Sequence, residues 1–192
     1  MKSDGQLHLS DCSSTDDKIG LMCLEGFGLL AAKACQVSES FISASFEGPG
    51  QVTLTDTRID KSQSTVTGTG ACSDLAQVRQ ESVLYTGVWA SGKGLKLAMV
   101  RCVVATTGSS SLELRDSATA SLDGCTFSGA QNHGVTVEGR GTEVHMDRFV
   151  MERNRVAGVH CMEGALVHAK QCHTANNEAV TEGNCSWPCA PA

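Results

Sequence analysis

Five residues in the second half of the chain have the types and spacing to do chemistry. His145 and His168 each sit in the middle of a short run in which apolar and polar residues alternate: Val144-His145-Met146 and Val167-His168-Ala169. Asp123, Asp147 and Lys170 take the next polar place in three successive runs of this kind. If the runs stack as neighbouring strands, all five side chains share one outer face within roughly two strand spacings. Stacked carboxylates supply the oxygen ligands that Ca²⁺ takes, and a carboxylate pair can divide general acid and base work. The two histidines offer nitrogen donors to a transition metal, although a stable site ordinarily takes more than two protein ligands. The plainer reading is a solvated face of mixed charge, with no catalytic residue, cofactor or metal, and it is the one we favour.

The elements that must position these residues come from a repeat. Glu-Gly and similar pairs recur at Glu25-Gly26, Glu47-Gly48, Thr69-Gly70, Ser91-Gly92, Glu138-Gly139, Glu163-Gly164 and Glu182-Gly183. Most steps are about 22 to 25 residues, allowing one degenerate copy near Asp116-Ser117, as expected of a fixed-period repeat. Three segments recur in each period. One alternating run ends at the glycine, as in Val135-Thr136-Val137-Glu138-Gly139. A second is Val52-Thr53-Leu54, Leu95-Lys96-Leu97 or Val144-His145-Met146. The third is Cys-x-apolar or a variant, such as Cys102-x-Val104, Cys125-x-Phe127 and Phe149-x-Met151. Alternation over a few residues marks a strand with one buried face. Such a unit cannot bury that face alone, so successive copies must stack in parallel. Glycine and asparagine are expected at the bends, where left-handed backbone angles are tolerated.

These motifs, from Gly134-Val-Thr-Val-Glu-Gly139 through Asn177 with weaker echoes back to Leu7, resemble the right-handed parallel β-helix repeats of the pectate-lyase-like superfamily. The nearest form is the generic repeat of F-box proteins that carry a β-helix. The resemblance implies an all-β, single-stranded right-handed parallel β-helix, a solenoid of about eight 22–25-residue coils with three short strands each. Residues 1–183 would form that domain and 184–192 a C-terminal tail. Asp74-Leu-Ala-Gln-Val-Arg-Gln-Glu81 has helical composition. We read it as a degenerate strand because the period runs through it.

Composition narrows the function. The 192 residues carry a net charge of −6 with both signs interspersed, which argues against the basic stripe of a nucleic-acid binder. No apolar run approaches the ~20 residues of a membrane span. The start, Met1-Lys2-Ser3-Asp4-Gly5, has no apolar signal core, so the expectation is an intracellular protein or an excised piece of a longer one. Ten cysteines are present. Cys12, Cys35, Cys102, Cys125 and Cys172 share one repeat position with Thr57 and Phe149, which suggests an inward apolar slot filled by free thiols. The alternative is disulfides between adjacent coils, whose Cβ spacing is wider than a relaxed disulfide prefers. Cys185 and Cys189 lie in the tail and could pair or bind a metal with His173. Asn132, Asn154 and Asn177 suggest a structural ladder of stacked amides, which makes Asn132-His133-Gly134 a bend and not a catalytic motif.

Two functions compete. The first is a non-catalytic repeat scaffold presenting a surface to a protein partner. The second, implied by the pectate-lyase resemblance, is a polyuronate lyase, hydrolase or epimerase, or a module binding acidic polysaccharide, with Ca²⁺ held near Asp123 and Asp147. The paired-aspartate, Gly-His-Gly and Arg-x-Lys motifs of hydrolases with this fold are not found. Only Tyr85 and Trp89 offer sugar-stacking rings. Open strand edges at the ends of a stack also predict some end-to-end self-association.

Overall fold

The computed structural model describes residues 86–183 continuously. Before them it describes 6–15, 19–23, 29–38, 42–47, 51–56, 58–60, 64–69, 72–76 and 79–83. Every regular element among the described residues is a strand, and none is a helix long and apolar enough to cross a membrane. Each turn of the chain lays down three strands, as in His133–Glu138, Glu143–Asp147 and Val150–Glu152. Each strand pairs in parallel with its counterpart one turn away, and three sheets of eight strands result. Three strands per turn in three eight-stranded sheets, from Gln6 to Gly183, amount to eight turns, and the continuously described residues 86–183 hold the last four of them.

The first sheet contains Lys96–Val100, Thr119–Asp123, Glu143–Asp147 and Leu166–Lys170. The second contains Val103–Thr107, Thr126–Ser128, Val150–Glu152 and His173–Ala175, and the third Val88–Ser91, Leu112–Arg115, His133–Glu138, Ala157–Met162 and Ala179–Gly183. Because side chains alternate along a strand, the in-register pairing turns the inward residues into continuous columns. Leu97, Ala120, Val144 and Val167 form one column on the first sheet, and Met99, Leu122, Met146 and Ala169 the next. Val104, Phe127 and Met151 line the second sheet, and Val88, Leu112, Val135 and Val159 the third. All are buried in one cluster. Truncating a ring such as Phe127, which is fully buried, would cost about 3–5 kcal/mol.

The segment read as a degenerate strand is strand in the backbone: Cys72–Ala76 and Arg79–Val83 replace the helix its composition suggested. Pairing in register with Lys96–Val100 and Val103–Thr107 overrides local propensity there.

Glycines with left-handed backbone fill the corner after the third sheet, as at Gly92, Gly139 and Gly164, but the next corner departs from that expectation. The corner between the first and second sheets uses one left-handed residue in every turn where it is described. These are Asp11, Ala34, Asp56, Arg101, Gly124, Arg148 and Gln171, and only one is glycine. The strain at the others is offset by stacking. The amide of Asp11 donates to Lys33, Arg101 to Asp123, Gly124 to Asp147 and Arg148 to Lys170, each at 2.8–3.2 Å. The asparagine ladder has two members, not three. Asn154 Oδ1 accepts from the Ala130 amide at 3.1 Å, its Nδ2 donates to Phe127 O, and Asn177 Oδ1 accepts from the backbone and side chain of Asn154. The residue stacked on Asn154 in the preceding turn is Ala130, and Asn132 is exposed two places further on.

Cys102, Cys125 and Phe149 share the buried slot at the first corner, and Cys12, Cys35, Cys102 and Cys125 are outside any disulfide. Cys172 and Cys161 are disulfide-bonded, so Cys172 departs from the free-thiol slot. Thr57, Tyr85, Cys185, Cys189 and the tail 184–192 lie outside the described residues.

Candidate functional site

The outer face of the first sheet is a grid. Its rows, read across four turns, are Lys96, Thr119, Glu143, Leu166; then Ala98, Ser121, His145, His168; then Val100, Asp123, Asp147, Lys170. The five residues singled out from sequence all fall on it. His145 and His168 are direct register partners, and their rings stack at 4.6 Å between centroids with planes 12° apart. That separation is the strand spacing of a parallel sheet carried into the side chains.

Two further residues define the chemistry. Glu143 lies two places before His145 and therefore on the same face. Its Oε1 sits 2.9 Å from His145 Nε2 and 3.0 Å from His168 Nε2, so one carboxylate oxygen bridges both imidazoles. This trio has the donor set of a transition-metal site, with both rings half exposed or more. Arg148, at the left-handed corner, turns back over the sheet and grips Asp123. Its Nε donates to Oδ1 at 2.9 Å and its Nη2 to both carboxylate oxygens. That hydrogen bonding, with the charge behind it, raises the guanidinium above its ordinary value. A carboxylate held by a two-pronged guanidinium is already satisfied and is poorly placed to take Ca²⁺ or a substrate proton. Asp147 is half-buried, and its Oδ1 is shielded from solvent without a hydrogen-bond partner. Its charge adds to the field that Arg148 feels.

Asp123 and Asp147 are thus neighbours in one row but are not an equivalent pair. Alternation alone located His145, His168, Asp123, Asp147 and Lys170. Glu143 carried the same signal and was not singled out. Arg148 carried none, because strand alternation ends at the corner. Two open depressions mark the surface, of about 430 Å³ and 300 Å³. They share Ser121 and His145 and together run across the grid. Trp89 is an exposed aromatic on the third sheet, away from this face.

Three parallel sheets wound from one chain, with short side chains and mixed charge on an open face, define a right-handed parallel β-helix. The chain belongs to the family described as the right handed beta helix region, whose model matches residues 40–186. No curated protein and no solved structure is similar enough to count as a match.

Proposed function

We propose that this chain is a non-catalytic β-helix scaffold that presents the outer face of its first sheet to a protein partner. The observation that carries this reading is the grip of Arg148 on Asp123. It removes one half of the carboxylate pair that acid-sugar chemistry or Ca²⁺ would use. The rest of the grid suits a protein contact. Ala98, Thr119 and Ser121 keep its middle low, and Leu166 is an exposed apolar side chain at the end of the Lys96–Glu143 row. Lys96, Glu143, Asp147 and Lys170 supply charges of both signs around it. An apolar contact with a charged rim is the usual anatomy of a protein interface. The buried columns beneath keep the surface rigid, which limits the entropy lost on binding.

A polyuronate-binding role draws some support from the cations Arg148 and Lys170 beside the 300 Å³ depression. The two readings separate in one experiment. Purified protein is titrated with acidic oligosaccharides, with and without Ca²⁺, alongside the Asp123→Ala/Asp147→Ala variant. The scaffold reading expects neither cleavage nor Ca²⁺-dependent binding from wild type. Binding or cleavage that needs Ca²⁺ and disappears in the double variant would move the function to carbohydrate.

A further inference from the structure

The outer face of the third sheet holds a second cluster that the proposed function leaves unused. Thr136, His160 and Glu182 follow one another in register across the strands His133–Glu138, Ala157–Met162 and Ala179–Gly183. His133, at the start of the first of these strands, joins them. Its Nε2 lies 3.0 Å from Glu182 Oε2, although 49 residues separate the two. Its ring packs against that of His160 at 4.4 Å between centroids, tilted by 36°. One ligand atom from each of His133, His160 and Glu182 lies within 4.8 Å of the other two.

The cluster is built inward from the surface. The His133 side chain is only 9% exposed. Its Nδ1 lies 3.4 Å from Thr136 Oγ1, which lies 3.0 Å from Ser110 Oγ, and Thr136 and Ser110 are both buried. A hydroxyl both donates and accepts, so Thr136 can serve either tautomer of His133. With a proton on Nε2, that nitrogen donates to Glu182 and Nδ1 accepts from Thr136. With Nε2 stripped of its proton, Nδ1–H donates to Thr136 and Nε2 turns a lone pair toward Glu182 and His160. A fixed partner on the far ring nitrogen is the support that ligating histidines ordinarily have.

We propose that His133, His160 and Glu182 bind a divalent transition metal of the zinc class, and that the metal clamps the strand Ala179–Gly183 to the two turns before it. Two imidazole nitrogens and one carboxylate oxygen match the donors such ions select. Bonds of about 2.0–2.2 Å place tetrahedral ligands roughly 3.3–3.5 Å apart, so side-chain rotation alone closes the site. The His133–Glu182 contact already has nearly that separation. Three protein ligands leave one position open to water. The metal takes the neutral tautomer of His133 in which Nδ1–H donates to Thr136 and the Nε2 lone pair is free, so the ring binds with no net change in its proton count. The Glu143–His145–His168 trio has the same donor types but stands at the surface, and it must be silenced for the test.

The test uses the full chain, stripped of metal by chelator, in a His145→Gln/His168→Gln background. ZnCl₂ is titrated calorimetrically, and thermal melting is followed with and without the ion. The site predicts one equivalent bound and a melting temperature that rises with zinc, as for any ligand that binds only the folded state. Glu182→Gln keeps an acceptor for His133 but loses the charge. It should weaken zinc by about tenfold or more and so shrink the rise at equal zinc, and His160→Gln should do the same. Metal-free melting curves of both variants establish that they fold. No zinc bound in the background protein, or unchanged affinity in either variant, would overturn the site.

Discussion

At the scale of single residues, environment sets what each titrating group can do. His160 is pushed below the ordinary histidine value of 6.5, first by burial and then by neighbouring His133, while Glu182 and Glu138 pull the other way. Its folded form therefore releases its proton more readily than the unfolded chain does. Above about pH 6.5 both states are neutral at this site and it adds no pH dependence. As pH falls below that value the unfolded chain takes up the proton first, so stability drops until the folded-state midpoint is passed. An NMR titration of His160 should find a midpoint below 6.5, and urea unfolding should show a shallower acid loss in His160→Gln than in wild type. A midpoint at or above the ordinary value would refute the assignment. Cys125 shows the same logic in a thiol. Its hydrogen bond with Cys102, and its burial, push its ionisation upward, which keeps it an inert core residue. The residue scale is also where sequence reading reached least far. The stack of His145 on His168 was legible because both sit at the polar place of an alternating run. The pairing of Asp123 with Arg148 was not, because Arg148 occupies a left-handed corner where no parity rule fixes a side chain's direction.

At the scale of elements, alternation carried nearly all the information. It marked the strands of each turn, and the structure sets them in register in three parallel sheets. It did not mark the first corner, where Asp, Ala, Arg and Gln adopt angles usually left to glycine, because the bonds that hold them come from the next turn. Equal spacing also misled. Asn132, Asn154 and Asn177 are nearly evenly spaced, yet the residue before Asn154 in its stack is Ala130. The ladder therefore makes a graded forecast. Asn154→Ala strips the buried Ala130 amide of its side-chain acceptor and the Phe127 carbonyl of one donor and should cost about 2 kcal/mol. Asn132→Ala should stay within about 0.5 kcal/mol. Chemical denaturation of the two variants checks this, and equal losses would contradict the ladder as described. Gly134 belongs to the same bend. A Cβ there would come 2.7 Å from Gly158 O and 2.9 Å from Asn154 Nδ2, so the glycine is required by close approach.

At the scale of the whole molecule, each turn touches mainly its neighbours, and the columns of buried side chains tie the turns into one body. What such a body offers a partner is a fixed, repeating surface whose faces differ in character. The first sheet presents a low centre ringed by charge, and the third a partly buried His-Glu cluster. The second sheet turns short residues such as Thr126 and Ser128 outward. The central claim is that the first of these faces engages a protein. It is tested most directly by placing a photo-crosslinking amino acid at Ser121, in the middle of the grid, and separately at Ser128 on the second sheet, then irradiating each in an extract of the source cells. The account predicts a discrete protein adduct from position 121 that is absent from position 128 and is lost when Ala98→Arg is added. No adduct from position 121, or the same adducts from both positions, would contradict it.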